Sequence, residues 1–341
     1  MVQKTAAYFI VLISAITILV VGKSLLIPFI LGLLIWFLIV EFRALIIKTP
    51  FLGKKLPKWL WTLIASIILF TLFGLAVNVL VDNIALLSKK IPSYEANLID
   101  VSQSVNNSIG FDAFARIRHY AGDFELTKIL SPLLNSLTDL FANGFMVVLY
   151  VLFLFLEESV FRQKLQQLFT KDHHFEEASE ILEKINQSTS RYITLKTIIS
   201  LITGVASYFA LLFIGVDTPI FWAFLIFIMN YIPTIGSLIG TLFPAFIALL
   251  QFGNLGHFFA VLSIVGIIQV IVGNFIEPKV MGNTLNLSPL VVIISLSFWG
   301  AIWGITGMVL SVPITVILVI LFAQFKATKP IAILLSEKGI V

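Results

Sequence analysis

The sequence predicts an all-α integral membrane protein whose C-terminal half is built from broken helices. Hydrophobic residues make up 59% of the chain and charged residues 12%, against about 45–50% and about 25% in soluble domains. Residues 218–276 and 280–325 carry no formal charge, and only Glu277-Pro278-Lys279 separates them. Each stretch is longer than the ~20 apolar residues that one membrane helix needs.

Both uncharged stretches are interrupted by helix-breaking residues. The breaks are Pro233, Gly236 and Gly240 in the first stretch, and Pro289, Gly300, Gly304 and Gly307 in the second. Inside a bilayer, broken helices are tolerated where the freed backbone is buried in protein or lines a cavity. Transporters build substrate pathways in this way, often beside an isolated ionisable group. The pattern therefore favours a transporter.

Membrane helices are also predicted in the rest of the chain, at the uncharged apolar runs 5–22, 24–40, 59–81, 140–156 and 197–216. Residues 219–232 are too few to cross a ~30 Å hydrocarbon core as a helix. We expect them to form a re-entrant hairpin with residues 237–250, and residues 280–325 to fold back similarly. The count is either ten crossings or six crossings and two hairpins, and both place the two termini on one side.

Basic residues in short loops indicate the orientation. The loop after the second run holds Arg43, Lys48, Lys54, Lys55 and Lys58, and the C-terminal tail holds Lys326, Lys329 and Lys338. Loops rich in Lys and Arg stay in the cytoplasm. Both termini are therefore predicted to be cytoplasmic.

Charge and hydropathy divide the chain into six segments. They are N-terminal transmembrane helices (1–81), an extracytoplasmic amphipathic helical region (82–139), a transmembrane helix (140–156), a cytoplasmic helical linker (157–191), a C-terminal transport core (192–325) and a cytoplasmic tail (326–341). Leu126, Ile129, Leu130, Leu133 and Leu137 share one helical face in the second segment. Helices in the second and fourth segments are expected to lie on the membrane or against neighbouring subunits, with a gate or a docking site as the alternative.

Enzyme chemistry is poorly supported. The chain has no cysteine, which excludes disulfides and thiolate chemistry. It also lacks a P-loop, an H-E-x-x-H motif and a G-x-S-x-G motif. The pair His173-His174, with Glu176 and Glu177, is more typical of a solvent-facing helix than of a metal site. We predict no catalytic residue, no metal, no cofactor and no nucleic-acid partner.

Glu277 is the first candidate for a functional residue, because a carboxylate at membrane depth is costly. Gly266, Gln269, Gly273 and Glu277 follow at i, i+3, i+7 and i+11, which predicts one helix face with two close-packing glycines. Glu277 could couple transport to protons or cations. Alternatively, it is an interfacial charge neutralised by Lys279.

Asn230 is the second candidate, because Pro233 removes a backbone donor and disfavours helix at the preceding residue. An unwound turn there could present amide and backbone groups to a polar solute, or Asn230 could simply cap the break. Thr234, Gln269 and Asn274 admit the same two interpretations. Trp299 and Trp303, four residues apart, could be an interfacial aromatic pair. The predicted hinge positions are Pro233, Gly236, Gly240, Pro278, Gly282, Pro289, Gly300 and Gly304, with close helix packing as the main role of the glycines.

Three motifs together resemble the autoinducer-2 exporter family of bacterial membrane proteins. They are NYIPTIGSLIGTLFPA (230–245), GNFIEPKVMGNTLNLSPLVV (273–292) and FWGAIWGITGMVLSVP (298–313), and KKIPSYEANL (89–98) and FLEESVFRQKL (155–165) extend the resemblance. The matching positions are Pro233, Gly236, Gly240, Pro244, Asn274, Pro278, Gly282, Pro289, Trp299, Gly300 and Gly307. The chain departs from the family's pattern at Thr234, where an aromatic residue is common, and at Leu195, where glycine is often found.

The resemblance implies about eight transmembrane segments, a homo-oligomer and a place in the bacterial cytoplasmic membrane. The leading hypothesis is export of a small polar solute such as autoinducer-2 by alternating access. Exchange of sodium or lithium for protons is the second hypothesis, and a non-transporting membrane scaffold is the third.

Overall fold

The computed structural model describes residues 2–48, 57–109, 144–168, 174–282 and 286–339. Within these ranges the chain is almost entirely helical and contains no strand. Six of the described helices are long and apolar enough to cross a membrane. The prediction of an all-α integral membrane protein is thereby confirmed, whereas a count of eight segments is not.

The helices are numbered here along the described residues. Their bounds are α1 Val2–Val21, α2 Lys23–Lys48, α3 Lys58–Ile109, α4 Gly144–Leu168, α5 His174–Ile214, α6 Pro219–Met229, α7 Ile235–Phe252, α8 Leu255–Ile271, a π-helical turn Val272–Ile276, α9 Glu277–Met281, α10 Pro289–Gln324 and α11 Lys329–Leu335.

The helices belong to two compact units. One unit comprises Met1–Leu69, Leu140–Leu195 and Asn283–Val341, and the other comprises Phe70–Asp139 and Lys196–Gly282. The predicted division into six segments stays a prediction. The amphipathic face at 126–137 and His173 lie outside the described residues.

In the first unit α10 is a helical hairpin. Gly304 has φ 62° and ψ −142° and separates two helical arms, residues 289–303 and 305–324. The hydroxyls of Ser295 and Thr315 lie 2.5 Å apart across the arms. A Cβ added to Gly307 would overlap the carbonyl oxygen of Trp299, so only glycine permits this approach. The expectation that this stretch folds back is confirmed.

Trp299 and Trp303 lie inside the first unit. They form a buried cluster with Leu310, against which residues of α1 and α2 pack. The indole N–H of Trp303 donates a hydrogen bond to the carbonyl of Leu19 at 2.9 Å. The interpretation as an interfacial pair is therefore wrong, because a belt tryptophan would expose its ring to the headgroup region.

In the second unit α6 and α7 form a helical hairpin. Residues 230–234 form the turn between them. A Cβ on Gly236 would overlap the carbonyl oxygen of Met229, and a Cβ on Gly240 would lie 3.2 Å from the side chain of Ile226. These contacts bring the N-terminal part of α7 against the C-terminal end of α6, as an antiparallel hairpin requires. The predicted hairpin is confirmed, and its re-entry into a membrane stays a prediction.

The π-helical turn lies between α8 and α9. Its last bond runs from the N–H of Glu277 to the carbonyl of Val272, five residues earlier. A π-turn closes i→i+5 bonds in place of i→i+4 bonds and therefore shifts the helical register by one residue. This shift changes which side chains after Val272 share a face with those of α8.

The C-terminal part of α3 is bonded to the loop before α6 and to the end of α7. At ~1.5 Å per residue, the 52 residues of α3 extend well beyond a ~30 Å hydrocarbon core. Tyr94 and Lys90 bind Asp217, in the loop before α6, at 2.8 and 2.6 Å. The amide of Asn97 donates to the carbonyls of Leu250 and Gln251 at the end of α7.

Candidate functional site

A row of buried polar side chains runs along α5 in the second unit. Lys196, Ser200, Thr203 and Ser207 follow at i, i+4, i+7 and i+11, which places them on one helix face. Lys196 is 4% exposed, and the other three are fully buried. Buried polar groups are costly unless they find hydrogen-bond partners. The partners of this row, which we call the α5 polar row, therefore define a candidate site.

Lys196 forms an ion pair with Glu277. Its Nζ lies 2.5 Å from Oε1 of Glu277, and the lysine side chain is 5% exposed against 26% for the glutamate. Lys279 is exposed and forms no ion pair with Glu277, so the alternative in which Lys279 neutralises Glu277 is not what the structure shows. The true partner is Lys196, which is 81 residues away in sequence.

The turn of the α6–α7 hairpin contacts α5 at Ser200, which belongs to the polar row, and at Thr197, which lies about 100° around the helix from Lys196. The side-chain amide of Asn230 donates to the hydroxyl of Ser200 at 3.1 Å. The hydroxyl of Tyr231 lies 2.6 Å from that of Thr197. We call these four residues, with Lys196 and Glu277, the tip cluster.

The sequence of the turn explains its geometry. Pro233 cannot donate a backbone hydrogen bond, so α6 ends and the chain reverses before α7 begins. Thr234 has φ 61° and ψ −57°, a conformation that a β-branched residue rarely adopts. The break leaves Asn230 and Tyr231 at the end of α6, where both reach α5.

Close packing holds α6 between its neighbours. A Cβ on Gly204 of α5 would lie 3.1 Å from the carbonyl oxygen of Ala223 and 3.2 Å from Phe227. A Cβ on Gly240 of α7 would lie 3.2 Å from the side chain of Ile226 on α6. Small residues thus allow the backbones of α5, α6 and α7 to approach one another.

Gln269 of α8 lies at the next interface. It is 8% exposed, and its Nε2 has no hydrogen-bond partner among the described residues. This atom lies beside Gly240, at 3.4 Å from the position of an added Cβ. A buried amide donor without a partner costs about 1–3 kcal/mol, so a bound oxygen atom at this point would be stabilised.

Two other predicted pathway residues are not part of the tip cluster's hydrogen bonds. The side chains of Thr234 and Asn274 are exposed. Gly273 is exposed too, and a Cβ there would meet nothing within 4 Å. The predicted close-packing face through Gly266, Gln269, Gly273 and Glu277 is therefore wrong at Gly273.

The predicted hinge residues lie at the ends or turns of helices, apart from three glycines. Pro233 is in the α6–α7 turn, Pro278 and Pro289 begin helices, and Gly282 and Gly304 have positive φ. Gly236, Gly240 and Gly300 lie within helices at close contacts, with Met308 beside Gly300. That these positions act as hinges during function stays a prediction.

Sequence reasoning missed Lys196, Thr197, Ser200 and Tyr231. The available signal was the helical spacing of Lys196, Ser200, Thr203 and Ser207 at the start of an uncharged run. A polar face on a membrane helix indicates a partner or a pathway rather than lipid.

Comparison with known proteins places this geometry in a family. The model of the family described as AI-2E family transporter matches residues 8–327. The AI-2 transport protein TqsA of Escherichia coli is 33% identical over 80% of this chain and 77% of its own length. A Haemophilus influenzae protein named "Putative transport protein" is 30% identical over 95% of both chains.

These matches cover both hairpins and the α5 polar row. They also confirm that the protein is a transporter and not an enzyme, so the scaffold hypothesis is set aside. The chain is a multi-pass membrane protein and belongs to the AI-2E transporter family.

Proposed function

We propose that the protein is a secondary transporter that exports a small polar solute such as autoinducer-2, and that the tip cluster lies on the solute's pathway. The observation that carries this proposal is the contact of Asn230 and Tyr231, at a broken helix, with Ser200 and Thr197 of α5. Transporters bind substrates at broken helices because unwound backbone and side chains there offer unused hydrogen-bonding groups. The name of TqsA supports the choice of solute.

The chemistry of the cluster fits a hydroxyl-rich, uncharged solute. Ser200, Thr197 and Tyr231 offer hydroxyls, and Asn230 offers an amide. In the present arrangement these groups bind one another, so a solute binds by replacing those bonds with its own. The positive charge of Lys196 is already matched by Glu277, which leaves no net charge at this position to favour an ion.

The mechanism that we propose is alternating access. The membrane topology that fits it best has six crossings, by α1 to α5 and by α8 with α9, and two re-entrant hairpins, α6–α7 and α10. Both termini are then in the cytoplasm of a bacterial cell. Asp217 and Tyr94 lie on the extracytoplasmic side, and Lys196 and Glu277 lie near the cytoplasmic side. We further propose a homo-oligomer, because the family resemblance implies one.

The test is efflux of labelled autoinducer-2 from proteoliposomes that contain the purified chain, with sodium and pH equal on both sides. We expect saturable efflux above that of empty liposomes, and at least a tenfold loss for Asn230→Leu. Asn78→Leu, at an exposed position on α3, is the matched control and should transport normally. Absence of efflux from correctly inserted wild-type protein contradicts the proposal.

Exchange of sodium for protons is the second candidate, and the observation that favours it is the carboxylate of Glu277, which is 26% exposed and would be free for a cation once the ammonium of Lys196 moves away. A cation that replaces the ammonium of Lys196 beside the carboxylate would couple its own binding to the protonation state of the pair. Sodium-driven pH change inside proteoliposomes, lost in Glu277→Gln, would support exchange. An unchanged sodium response in that variant would exclude Glu277 from the coupling.

A further inference from the structure

A cavity lined mainly by polar residues lies in the first unit. Its volume is about 660 Å³, which is within the range of about 300–1,000 Å³ typical of small-ligand sites. Its walls come from the end of α2, at Val40 and Glu41, and from residues 186–195 of α5. Neither the hairpin chemistry nor the proposed transport pathway uses these residues.

The cavity contains two opposite charges that are not paired with each other. Glu41 and Arg191 both line it, and neither forms an ion pair or a hydrogen bond with any residue that the structure describes. Arg43, two residues after Glu41, is instead bound to Glu158 at 3.4 Å and to Thr62 at 2.7 Å. An acid and a base in one polar cavity, each without a partner, would both be satisfied by a zwitterionic ligand.

Small hydroxyl and amide side chains line the same cavity as the arginine. Ser188, Ser190 and Thr194 line the cavity together with Asn186, whose amide oxygen accepts a bond from Ser190 at 3.3 Å. Hydroxyls and a guanidinium are the usual ligands of a phosphate group in proteins. This end of the cavity therefore fits a phosphate, and Glu41 fits an ammonium group.

The sequence around the cavity changes from apolar to charged, as it does at the edge of a membrane. On α2 the uncharged run 24–40 ends directly before Glu41, and on α5 the uncharged run 197–216 begins just after Leu195. A change from apolar to charged sequence on neighbouring helices marks the edge of the hydrocarbon core. Val40 and Leu195 line the apolar border of the cavity, next to which acyl chains would lie.

We propose that this cavity binds the headgroup of a membrane phospholipid that carries both a phosphate and a primary ammonium, as phosphatidylethanolamine does. Arg191 and the neighbouring hydroxyls hold the phosphate, and the carboxylate of Glu41 accepts hydrogen bonds from the ammonium. A headgroup with a net negative charge would leave Glu41 unpaired and repelled. A quaternary ammonium would satisfy the charge of Glu41 but has no N–H to donate.

Native mass spectrometry of the delipidated chain tests this proposal, with dimyristoyl phosphatidylethanolamine, phosphatidylglycerol and phosphatidylcholine titrated separately. We expect phosphatidylethanolamine to bind at least fivefold more tightly than either of the others. Glu41→Gln should remove this preference. Arg191→Gln should weaken both phosphatidylethanolamine and phosphatidylglycerol about tenfold. Equal binding of the three lipids by the wild type would overturn the proposal.

The matched controls are Glu180→Gln and Lys184→Gln, at exposed positions on α5 outside the cavity. Both should bind lipid as the wild type does, and a loss of preference in either would overturn the assignment. If Arg191→Gln does not fold, Arg191→Lys keeps the charge without the planar fork and should weaken binding by a smaller factor. Water-soluble glycerophosphoethanolamine should bind at least a hundredfold more weakly than the lipid, and equal binding would overturn a lipid as the ligand.

Discussion

The phenol oxygen of Tyr94 lies 2.8 Å from Oδ2 of Asp217, 123 residues away in sequence. This bond joins the C-terminal part of α3 to the loop that precedes the α6–α7 hairpin. Lys90 binds the other oxygen of the same carboxylate at 2.6 Å. Burial, with smaller contributions from the hydrogen bond and the charge of Asp217, raises the pKa of Tyr94 well above its usual value of 10.0.

Tyr94→Phe should lower the melting temperature of the detergent-solubilised protein. The lost bond has a charged acceptor, and such bonds contribute about 1.5–3 kcal/mol. Tyr208→Phe, at a half-buried tyrosine of α5 without a hydrogen bond to another described residue, is the control and should have little effect. Equal melting temperatures for Tyr94→Phe and the wild type would show that the bond does not stabilise the fold.

The raised pKa of Tyr94 predicts a loss of stability at alkaline pH. The folded protein keeps the phenol proton above pH 10.0, whereas the unfolded chain releases it. The unfolded state then binds fewer protons than the folded state. The contribution of Tyr94 to the free energy of unfolding is therefore constant up to about pH 10 and falls above it. Melting curves between pH 8 and pH 11 should show this decrease, and it should be smaller in Tyr94→Phe. An equal decrease in the wild type and in Tyr94→Phe would mean that groups other than Tyr94 cause the loss of stability.

Lys196→Met should destabilise the protein by about 3–5 kcal/mol, because it leaves the carboxylate of Glu277 without its partner in a largely buried position. The double variant Lys196→Met/Glu277→Met should be more stable than the single variant. Lys164–Glu157 is a matched pair at 2.6 Å, with its side chains 56% and 48% exposed. Lys164→Met should cost less than about 1 kcal/mol. If Lys196→Met and Lys164→Met lost similar amounts of stability, burial would not determine how much an ion pair contributes to the free energy of unfolding.

Gly236→Ala and Gly307→Ala should each prevent correct folding of a hairpin. The added methyl group would overlap a backbone carbonyl in both cases, and backbone cannot move aside as a flexible side chain can. We expect a loss above about 3 kcal/mol, beyond the usual range for overpacking. Gly273→Ala is the control, because its Cβ would meet open space and its φ is not positive. Protein yield and gel-filtration profiles distinguish these outcomes.

Thr234→Gly should stabilise the hairpin turn. Release of the unfavourable backbone conformation yields about 1–3 kcal/mol, which exceeds the about 0.5–1 kcal/mol cost of glycine's greater freedom. The bond from the Ser237 hydroxyl to the backbone carbonyl of residue 234 is kept. Thr234→Ala retains a Cβ and should show no gain in melting temperature. A decrease in Thr234→Gly would mean that the threonine side chain itself stabilises the turn.

The fold class and both hairpins could be predicted from the sequence. Pro233 and the glycines act locally, so the positions at which helices break can be inferred from neighbouring residues alone. Ion pairs between distant helices cannot be inferred in this way. Lys279 is adjacent to Glu277 and was the natural choice of partner, yet Lys196 forms the pair because α5 brings it to Glu277.

The tip cluster was only half predicted for the same reason. Asn230 and Glu277 stand out as polar residues near breaks, whereas Ser200 and Thr197 are ordinary residues of an apolar helix until their contacts are known. The π-helical turn also left no local signal. It changes the direction in which Glu277 points relative to the residues of α8.

That turn has a consequence for how this chain is compared with its relatives. A π-turn contains one residue more than the α-helical turn that it replaces, so a homologue that lacks a single residue between Val272 and Glu277 would have a regular helix there. Its acidic residue would keep the direction that Glu277 has here, because the π-turn places the fifth residue on roughly where an α-helix places the fourth. A relative with the same number of residues but a regular α-helix would instead turn that side chain by about 100°, which is one residue's rotation. At this turn, a one-position gap in an alignment is therefore compatible with the ion pair.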